Sequence, residues 1–529
     1  MRVALVAVLL LSIGYSSLAQ AQTTRPVNVM EMSIEQVHAA LRSGSVTCHA
    51  VVEQYLNRIR AYDQQGPAIN AMLYLNPASL EQADAFDKTF RQSHRLKMLD
   101  CIPIVLKDNF DTADMPTTAG SLSMKGAQPE KDAFAVGKLR EAGAIILGKT
   151  NMQEFASGGI SVSSLGGQVK NPYDLTRTPG GSSGGTGAAV AANFATAGTG
   201  SDTGGSIRSP ASATNLVGIR PTRGLISRSG IVPVSFTQDT IGPITRTVAD
   251  TARILDVMAG YDPDDPVSAL SAGNIPKTYT AFLQNGLKGA RFGLLTNMLG
   301  HGTEYEEVNR VIAQDAKLLQ AQGATVVEIE DPMFDSDALY AKVRLNEPEF
   351  RFALDRYLKQ QGEHVPVHSL AEIIASGKFD KPTLEKFFII AESYDDGPNS
   401  ADYKDRRLKA EEIRIEVANL MAKNHLDALI YPHQKCLVLP IGATFQKDRN
   451  GEIAALSGFP AIEVPGGFSA PTKEAPLGVP VGLEILGRAW GEPELIRLAY
   501  GFEQASHYRK PPVSAPSLLG EGQPRARVK

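Results

Sequence analysis

Residues 171–222 read NPYDLTRTPGGSSGGTGAAVAANFATAGTGSDTGGSIRSPASATNLVGIRPT, a stretch rich in glycine, serine, threonine and alanine with few charges. It also contains an apolar run from Ala188 to Phe194, which a flexible linker would lack. Glycine lets the backbone turn sharply and approach its neighbours closely. The sequence therefore predicts a packed region around a functional site rather than a linker.

On both sides of this stretch, helical and strand patterns alternate, which is typical of an α/β protein with a largely buried sheet. The predicted helices cover residues 33–42, 47–62, 132–141, 248–258, 306–321 and 493–505, and a long helical section covers 337–423. The predicted strands cover residues 103–106, 144–147, 292–295, 325–330, 426–431 and 481–486. We find no internal repeat and no dividing linker, so we expect one large domain over residues 30–515.

Composition and charge exclude several classes of protein. The 529 residues are 43% apolar and 21% charged, which excludes a disordered, collagen-like or coiled-coil chain. Lysine and arginine number 53 against 57 acidic residues, with no long run of either sign. A nucleic-acid-binding protein needs a basic surface for phosphate contacts, so we expect no nucleic-acid partner.

The N-terminus has the three parts of a secretory signal peptide. Arg2 is followed by an apolar run from Val3 to Tyr15 and by the small residues Ala19 and Ala21. We expect cleavage after Ala21, a signal peptide over residues 1–21 and a periplasmic or secreted product. An uncleaved anchor or a buried helix is the alternative. No later apolar stretch reaches the length of about 18 residues that a membrane span needs, so no stable membrane insertion is expected after signal removal.

The chain has three cysteines, Cys48, Cys101 and Cys436. At most one pair can form in an oxidising compartment, and the spacing does not say which. Cys101 precedes an apolar run, which favours a buried small hydrophobic residue. There is no CxxC motif and no histidine and cysteine cluster at zinc spacing, so no metal is expected.

Two segments match known functional motifs, but the residues around them do not form the secondary structure that those motifs require. Residues 143–150 match the phosphate-binding expression GxxxxGK[ST], but an apolar strand occupies the place of the open loop. Residues 180–184 match GxSxG, the nucleophile elbow of α/β-hydrolases, but a turn-rich segment precedes them where that elbow requires a strand. Histidines 425, 433 and 507 lie downstream and could supply a catalytic base, so a Ser-His hydrolase remains an alternative.

Lys107, Ser182 and Ser206 together suggest nucleophilic catalysis on an amide. A serine hydroxyl needs a base, and a lysine can act as one only when it is neutral. Desolvation at the end of a buried strand lowers the pKa of a lysine. A second serine can relay the proton, and the glycines before Ser206 let backbone amides converge on a developing oxyanion.

The segment from Cys101 to Leu255 resembles the amidase signature family. Ser182 follows Lys107 by 75 residues and Ser206 follows Ser182 by 24, as in that family. The motifs that carry the resemblance are IVLKDN (104–109), GKTNMQEF (148–155), GGSSGG (180–185), GGSIRSP (204–210) and, near the C-terminus, VGLEILG (481–487) with EPELIR (492–497). Thr186 departs from the family, which often has serine or glutamate there.

The resemblance implies a Ser-Ser-Lys triad and a single α/β/α sandwich around a large mixed sheet. Ser206 would be the acylated nucleophile, Ser182, after a cis peptide bond, the proton shuttle, and Lys107 the base. The family also implies an oxyanion hole from the backbone N–H groups of residues 203–206, namely Thr203, Gly204, Gly205 and Ser206. Ser183 would support Lys107 through a hydrogen bond. This scheme needs no metal and no cofactor.

The substrate is expected to be a peptide amide or a small-molecule amide. Among exported members of the family, one similar to peptide amidase fits best. The glutaminase (A) subunit of a tRNA-dependent amidotransferase is the alternative, against which the export signal argues. An exported amide-binding protein on an inactive scaffold is the alternative from another class. We expect the substrate pocket between the helical section 337–423 and the loop 431–436.

Overall fold

The structure is a computed structural model that describes residues 27–518. The predicted signal peptide lies outside the described residues. Among the described residues, no helix is both long and apolar enough to cross a membrane.

Thirteen strands are present in the described part of the chain. They are β1 (Met72–Leu75), β2 (Pro103–Lys107), β3 (Ile145–Thr150), β4 (Val162–Ser163), β5 (Gly167–Gln168), β6 (Ala197–Asp202), β7 (Val217–Arg220), β8 (Thr240–Thr245), β9 (Arg291–Leu295), β10 (Thr325–Ile329), β11 (Ala428–Pro432), β12 (Ala461–Phe468) and β13 (Pro480–Leu486). All but β4 and β5 form one sheet, in the order β1-β3-β2-β6-β8-β7-β12-β13-β11-β9-β10. The predicted fold class is confirmed, because the sheet is mixed, with parallel pairs such as β2 and β6 and antiparallel pairs such as β12 and β13.

Fifteen α-helices accompany the strands over the same residues. They are α1 (Ile34–Arg42), α2 (Cys48–Tyr62), α3 (Ser79–Ser93), α4 (Phe134–Glu141), α5 (Gly184–Ala191), α6 (Arg208–Ala213), α7 (Val248–Met258), α8 (Glu306–Ala321), α9 (Ser336–Lys342), α10 (Asn346–Gln361), α11 (Leu370–Ser376), α12 (Lys381–Glu392), α13 (Ala401–Lys423), α14 (Glu452–Ser457) and α15 (Glu492–Ser506). The helical section predicted over 337–423 is therefore five helices, α9 to α13.

The strands that carry the site are buried along their whole length. Every residue of β2, β3 and β6 is buried, and so is every residue of α5. This confirms the prediction that the glycine-rich stretch is packed. Since β3 covers Ile145–Thr150, a strand does replace the loop that a phosphate-binding motif would need.

A disulfide joins α2 to the start of β2. Cys48 and Cys101 are bonded, with 5.6 Å between their Cα atoms, and Cys436 is free and buried. The expectation that Cys101 is merely a small buried hydrophobic residue was wrong. Its side chain is buried as expected, but the packing of α2 brings Cys48 within bonding distance, which spacing along the chain could not indicate.

Candidate active site

The ends of two parallel strands bring Lys107 beside the glycine-rich loops. β2 runs parallel to β6, and parallel strands end at the same edge of a sheet. Lys107 is the last residue of β2, and Asp202 is the last residue of β6. Ser206 follows in the short loop between β6 and α6, so the topology places it at the same edge as Lys107.

Lys107 is fully buried and lies against two serines. Its Nζ is 2.7 Å from Oγ of Ser182, 2.8 Å from Oγ of Ser201 and 3.5 Å from the carbonyl oxygen of Ser201. Burial lowers the pKa of Lys107 to about 7, although the carboxylates of Asp202 and Asp239 oppose this shift. Near neutral pH a substantial fraction of this amine is therefore uncharged and able to accept a proton.

Ser182 lies in a tight turn, and the Ser161 side chain forms hydrogen bonds to this turn before and after Ser182. The Gly181–Ser182 peptide bond is cis, as the family resemblance implied. The Ser161 hydroxyl donates to the Gly180 carbonyl at 2.8 Å and accepts from the Gly184 amide at 3.0 Å. No strand leads into Ser182, which separates this turn from the elbow of α/β-hydrolases.

Ser206 is buried, with 4% of its surface exposed, and its loop is bonded to the Ser182 loop. The Ser183 amide donates to the Ser206 carbonyl oxygen at 3.2 Å. The structure thus brings Lys107, Ser182 and Ser206 to adjoining segments of one site. Their catalytic roles remain predictions.

Ser183 does not make the expected hydrogen bond to Lys107. It is the N-cap residue of α5, and its hydroxyl donates to the Ser201 carbonyl oxygen at 3.3 Å. Ser201 is the residue that contacts the lysine directly, and Asn109 Nδ2 donates to the Ser201 hydroxyl at 3.0 Å. Ser183 is therefore linked to Lys107 only indirectly, through hydrogen bonds that both residues make with Ser201 of β6.

A buried ionic network holds the Ser206 loop. The Asp202 carboxylate accepts hydrogen bonds from the amides of Gly205 and Ile207, at 2.8 and 3.0 Å, and from the side chains of Arg208 and Arg220. Burial raises the pKa of the Asp202 carboxyl, but the two guanidinium groups bring it well below its usual range. Asp202 is therefore ionised, and its hydrogen bonds fix the loop.

The network continues to His433, one of the three downstream histidines, which lies in the loop where the substrate pocket is expected. Arg208 also donates to Glu484, whose other oxygen lies 2.6 Å from Nδ1 of His433. Burial lowers the pKa of His433, although Glu484 opposes this shift. Glu463 lies near both, and one ligand atom from each of the three residues lies within 4.8 Å of the others. Both Glu484 oxygens accept hydrogen bonds, whereas neither Glu463 oxygen nor Nε2 of His433 has a partner among the described residues. The expected absence of a metal stays a prediction.

Known proteins resemble this chain along most of its length. The family model described as Amidase matches residues 50–496. The chain belongs to the amidase family.

Individual relatives agree with this assignment. The chain is 34% identical over 520 residues to a protein of Arabidopsis thaliana described as a probable amidase, covering 95% of each chain. It is 32% identical to the (A) subunit of the glutamyl-tRNA(Gln) amidotransferase of Thermoanaerobacter pseudethanolicus, covering 92% of this chain and 99% of the relative. The structure of native peptide amidase from Stenotrophomonas maltophilia has a TM-score of 0.83 and 37% identity, over 91% of this chain and 98% of that one. The protein is therefore an amidase signature enzyme, a hydrolase that acts on carbon–nitrogen amide bonds.

The amides that would form the oxyanion hole of this amidase are not equivalent. The Gly205 amide already donates to Asp202. The amides of Thr203, Gly204 and Ser206 have no acceptor among the residues that the structure describes. Gly205 has a φ of +116°, and a side chain there would overlap the His433 ring, 2.5 Å from its Cε1. The free donors of the four are thus Thr203, Gly204 and Ser206, and the oxyanion hole remains a prediction.

Several residues of this amidase site come from the C-terminal part of the chain, far from Lys107, Ser182 and Ser206. His433 and Arg449 contact the Ser206 loop from the segment after β11, and Glu484 reaches it from β13. The expected pocket loop at 431–436 therefore does reach the site. Single histidines and arginines carry no spacing signal, and only the pairing of β11 with β13 brings His433 to Glu484.

Proposed function

We propose that this amidase is an exported enzyme that hydrolyses peptide or small-molecule amides to an acid and ammonia or an amine, through an acyl-enzyme on Ser206. The observation that carries the proposal is the buried Lys107 amine, 2.7 Å from Ser182, with a pKa lowered to about 7. A serine relay needs such a neutral amine at neutral pH.

Each proton in the proposed mechanism has a donor and an acceptor. Neutral Lys107 takes the proton of Ser182 as Ser182 takes that of Ser206, and the Ser206 oxygen forms a bond to the amide carbon. The free loop amides stabilise the oxyanion. Collapse breaks the carbon–nitrogen bond as Ser182 protonates the leaving amine and regains a proton from Lys107. Water then attacks the ester by the same relay and frees the acid.

Export is supported by two features of the chain. The N-terminal residues follow the pattern of a signal peptide. The Cys48–Cys101 disulfide is typical of proteins in oxidising compartments. We expect the full chain, expressed in a Gram-negative host, to appear in the periplasm with Gln22 as its first residue. A cytoplasmic product that keeps Met1 would contradict export.

Peptide amides are the favoured substrates because of the similarity to peptide amidase across nearly the whole chain. The glutaminase (A) subunit remains the second candidate, since one such amidotransferase component is almost as similar in sequence. A signal peptide argues against it, because that component works on charged tRNA in the cytoplasm. An inactive amide-binding protein is disfavoured by the intact Lys107, Ser182 and Ser206.

Ammonia release by the purified protein separates these alternatives. The substrates are peptide amides, aryl amides, short aliphatic amides and glutamine, and a Ser206→Ala variant with an unchanged circular dichroism spectrum is the control. We expect the wild type to release ammonia fastest from peptide amides and the variant to release none. Preference for glutamine would favour the glutaminase. Folded protein without any turnover would overturn the proposed hydrolysis.

A further inference from the structure

Arg449 stands between the two serine loops. Its Nη2 donates to the Gly204 carbonyl oxygen at 3.1 Å, and a Cβ atom on Gly205 would lie 3.0 Å from the same nitrogen. Its Nη1 would lie 2.9 Å from a Cβ atom on Gly159, and Gly159 packs in turn against Gly181, which precedes Ser182. The guanidinium group therefore spans from the loop of the shuttle to the loop of the nucleophile.

The charge of Arg449 is only partly compensated. The Glu452 carboxylate is the charge that acts most strongly on it, but it forms no ion pair with Arg449 among the described residues, and Nε of Arg449 is buried without an acceptor. Nη1 also donates to no residue in the part of the chain that the structure describes. The Nη1 donors of Arg449 are therefore available to a group bound beside the Ser206 loop.

The Ser206 loop is partly exposed at Gly204, the residue that Arg449 contacts. Arg449 and Gly204 are partly exposed, whereas Gly205, Ser206 and Ile207 are buried. The guanidinium group of Arg449 therefore lies beside the partly exposed part of the loop that carries Ser206. Tyr340 belongs to the helical section where the substrate pocket is expected. It lies close enough to Arg449 to affect the pKa of Arg449 electrostatically.

We infer that Arg449 is a specificity-determining residue, which donates a hydrogen bond to an oxygen of the acyl group beyond the scissile carbonyl. The substrate class is an amide whose acyl chain carries a carbonyl or carboxylate oxygen, as the preceding peptide group of a peptide amide does. Planar guanidinium N–H groups suit such an oxygen. This inference rests on the proposed amide hydrolysis and names the part of the substrate that the site selects.

The test compares the wild-type enzyme and one variant on two substrates. N-acetylalaninamide carries the acceptor oxygen, and 2-methylpentanamide keeps its chain length and branching but has methylene groups in place of the N–H and the acetyl carbonyl. Wild type and Arg449→Met are compared by kcat/KM on both. We expect the substitution to slow hydrolysis of N-acetylalaninamide by about tenfold to a hundredfold, which is the worth of a hydrogen bond to a charged group. Hydrolysis of 2-methylpentanamide should change much less.

A third substrate and two further variants sharpen the result. Succinamate places a carboxylate at the position of the acetyl carbonyl, so a larger loss on succinamate would identify an anionic acyl group as the natural choice. Arg449→Lys, which keeps the charge, should restore part of the selectivity. Arg414→Met, on the exposed face of α13, should leave both rates unchanged.

Equal losses on the two neutral substrates would overturn the inference, because Arg449 would then only support the Gly204 carbonyl. Failure of the wild type on every amide would instead contradict the proposed function. The two failures are therefore distinguishable.

Discussion

Ser201 determines which way the Lys107 amine faces. A neutral amine has two N–H donors and one lone pair. The Ser201 hydroxyl and carbonyl oxygens, at 2.8 and 3.5 Å, can accept both donors, which leaves the lone pair for Ser182 at 2.7 Å. This orientation is what a base requires, and it explains why a residue outside the predicted triad lies against the lysine.

We predict that Ser201→Ala lowers kcat about fivefold with little change in KM. The substitution removes one hydrogen bond that orients Lys107, which is worth about 1 kcal/mol. Steady-state kinetics on a peptide amide measure the effect, and Ser201→Thr, which keeps the hydroxyl, should recover most of it. A change confined to KM would show that Ser201 acts on substrate binding instead.

The pH dependence of the enzyme should report Lys107. Its pKa is lowered to about 7, so protonation below that value removes the base. We expect kcat/KM to fall on the acid side with an apparent pKa near 7 and to level off above it. A profile from pH 5 to 9 measures this. Full activity maintained at pH 5 would exclude a lysine base with this pKa.

At the scale of elements, the disulfide between α2 and β2 ties down the strand that carries Lys107. It closes a loop of 53 residues, for which the chain-entropy model gives a stabilisation of about 4 kcal/mol. We predict that a Cys48→Ser, Cys101→Ser double variant unfolds at lower denaturant concentration but keeps its kcat at 25 °C. Cys436→Ser is the matched control, since Cys436 is unpaired. An unchanged unfolding midpoint in the double variant would contradict this account.

The elements also show where sequence patterns succeed. Helices α7 and α8 begin and end at the predicted residues, and a capping box of Ser33 and Gln36 starts α1 close to its predicted beginning. Central strand β6 was not predicted, because its sequence AGTGSD has the composition of a turn. It needs small residues, since a side chain on Gly200 would overlap Ser183 and Ile207.

The residues of the site also divide into those that sequence motifs predict and those that only the tertiary structure brings together. Lys107, Ser182 and Ser206 could be predicted because their motifs occur in a fixed order and spacing. The contacts of Ser201, His433, Arg449 and Glu484 could not, although His433 lies in the expected pocket loop and Glu484 in a C-terminal motif, because these contacts depend on strand pairing between distant segments. Local patterns thus identified the signature residues, while tertiary packing decides what surrounds them.

At the scale of the whole molecule, buried acids should make stability depend on pH. Asp315 on α8 is fully buried, and neither carboxylate oxygen has a hydrogen-bond partner among the described residues. Burial raises its pKa well above the usual range. A raised folded-state pKa means that this contribution is present below the unfolded-state pKa of about 4 and is lost as pH rises toward the folded-state value.

We therefore predict that Asp315→Asn stabilises the protein more at pH 8 than at pH 4. Wild-type stability should fall by up to about 1.4 kcal/mol per pH unit where only the folded state holds the proton, and the variant lacks this term. Denaturant unfolding at several pH values measures the difference. A constant difference between the two proteins across this range would contradict the assignment of a protonated Asp315.

The central claim, that Ser206 is the nucleophile activated through Ser182 and Lys107, is tested most directly by covalent labelling. A fluorophosphonate reacts with an activated serine to give a stable adduct, which peptide mapping by mass spectrometry can locate. We predict one phosphonyl group, on the peptide that contains Ser206, and no labelling of Ser206→Ala over the same time. An adduct on Ser182, or equally fast labelling of the variant, would contradict the account.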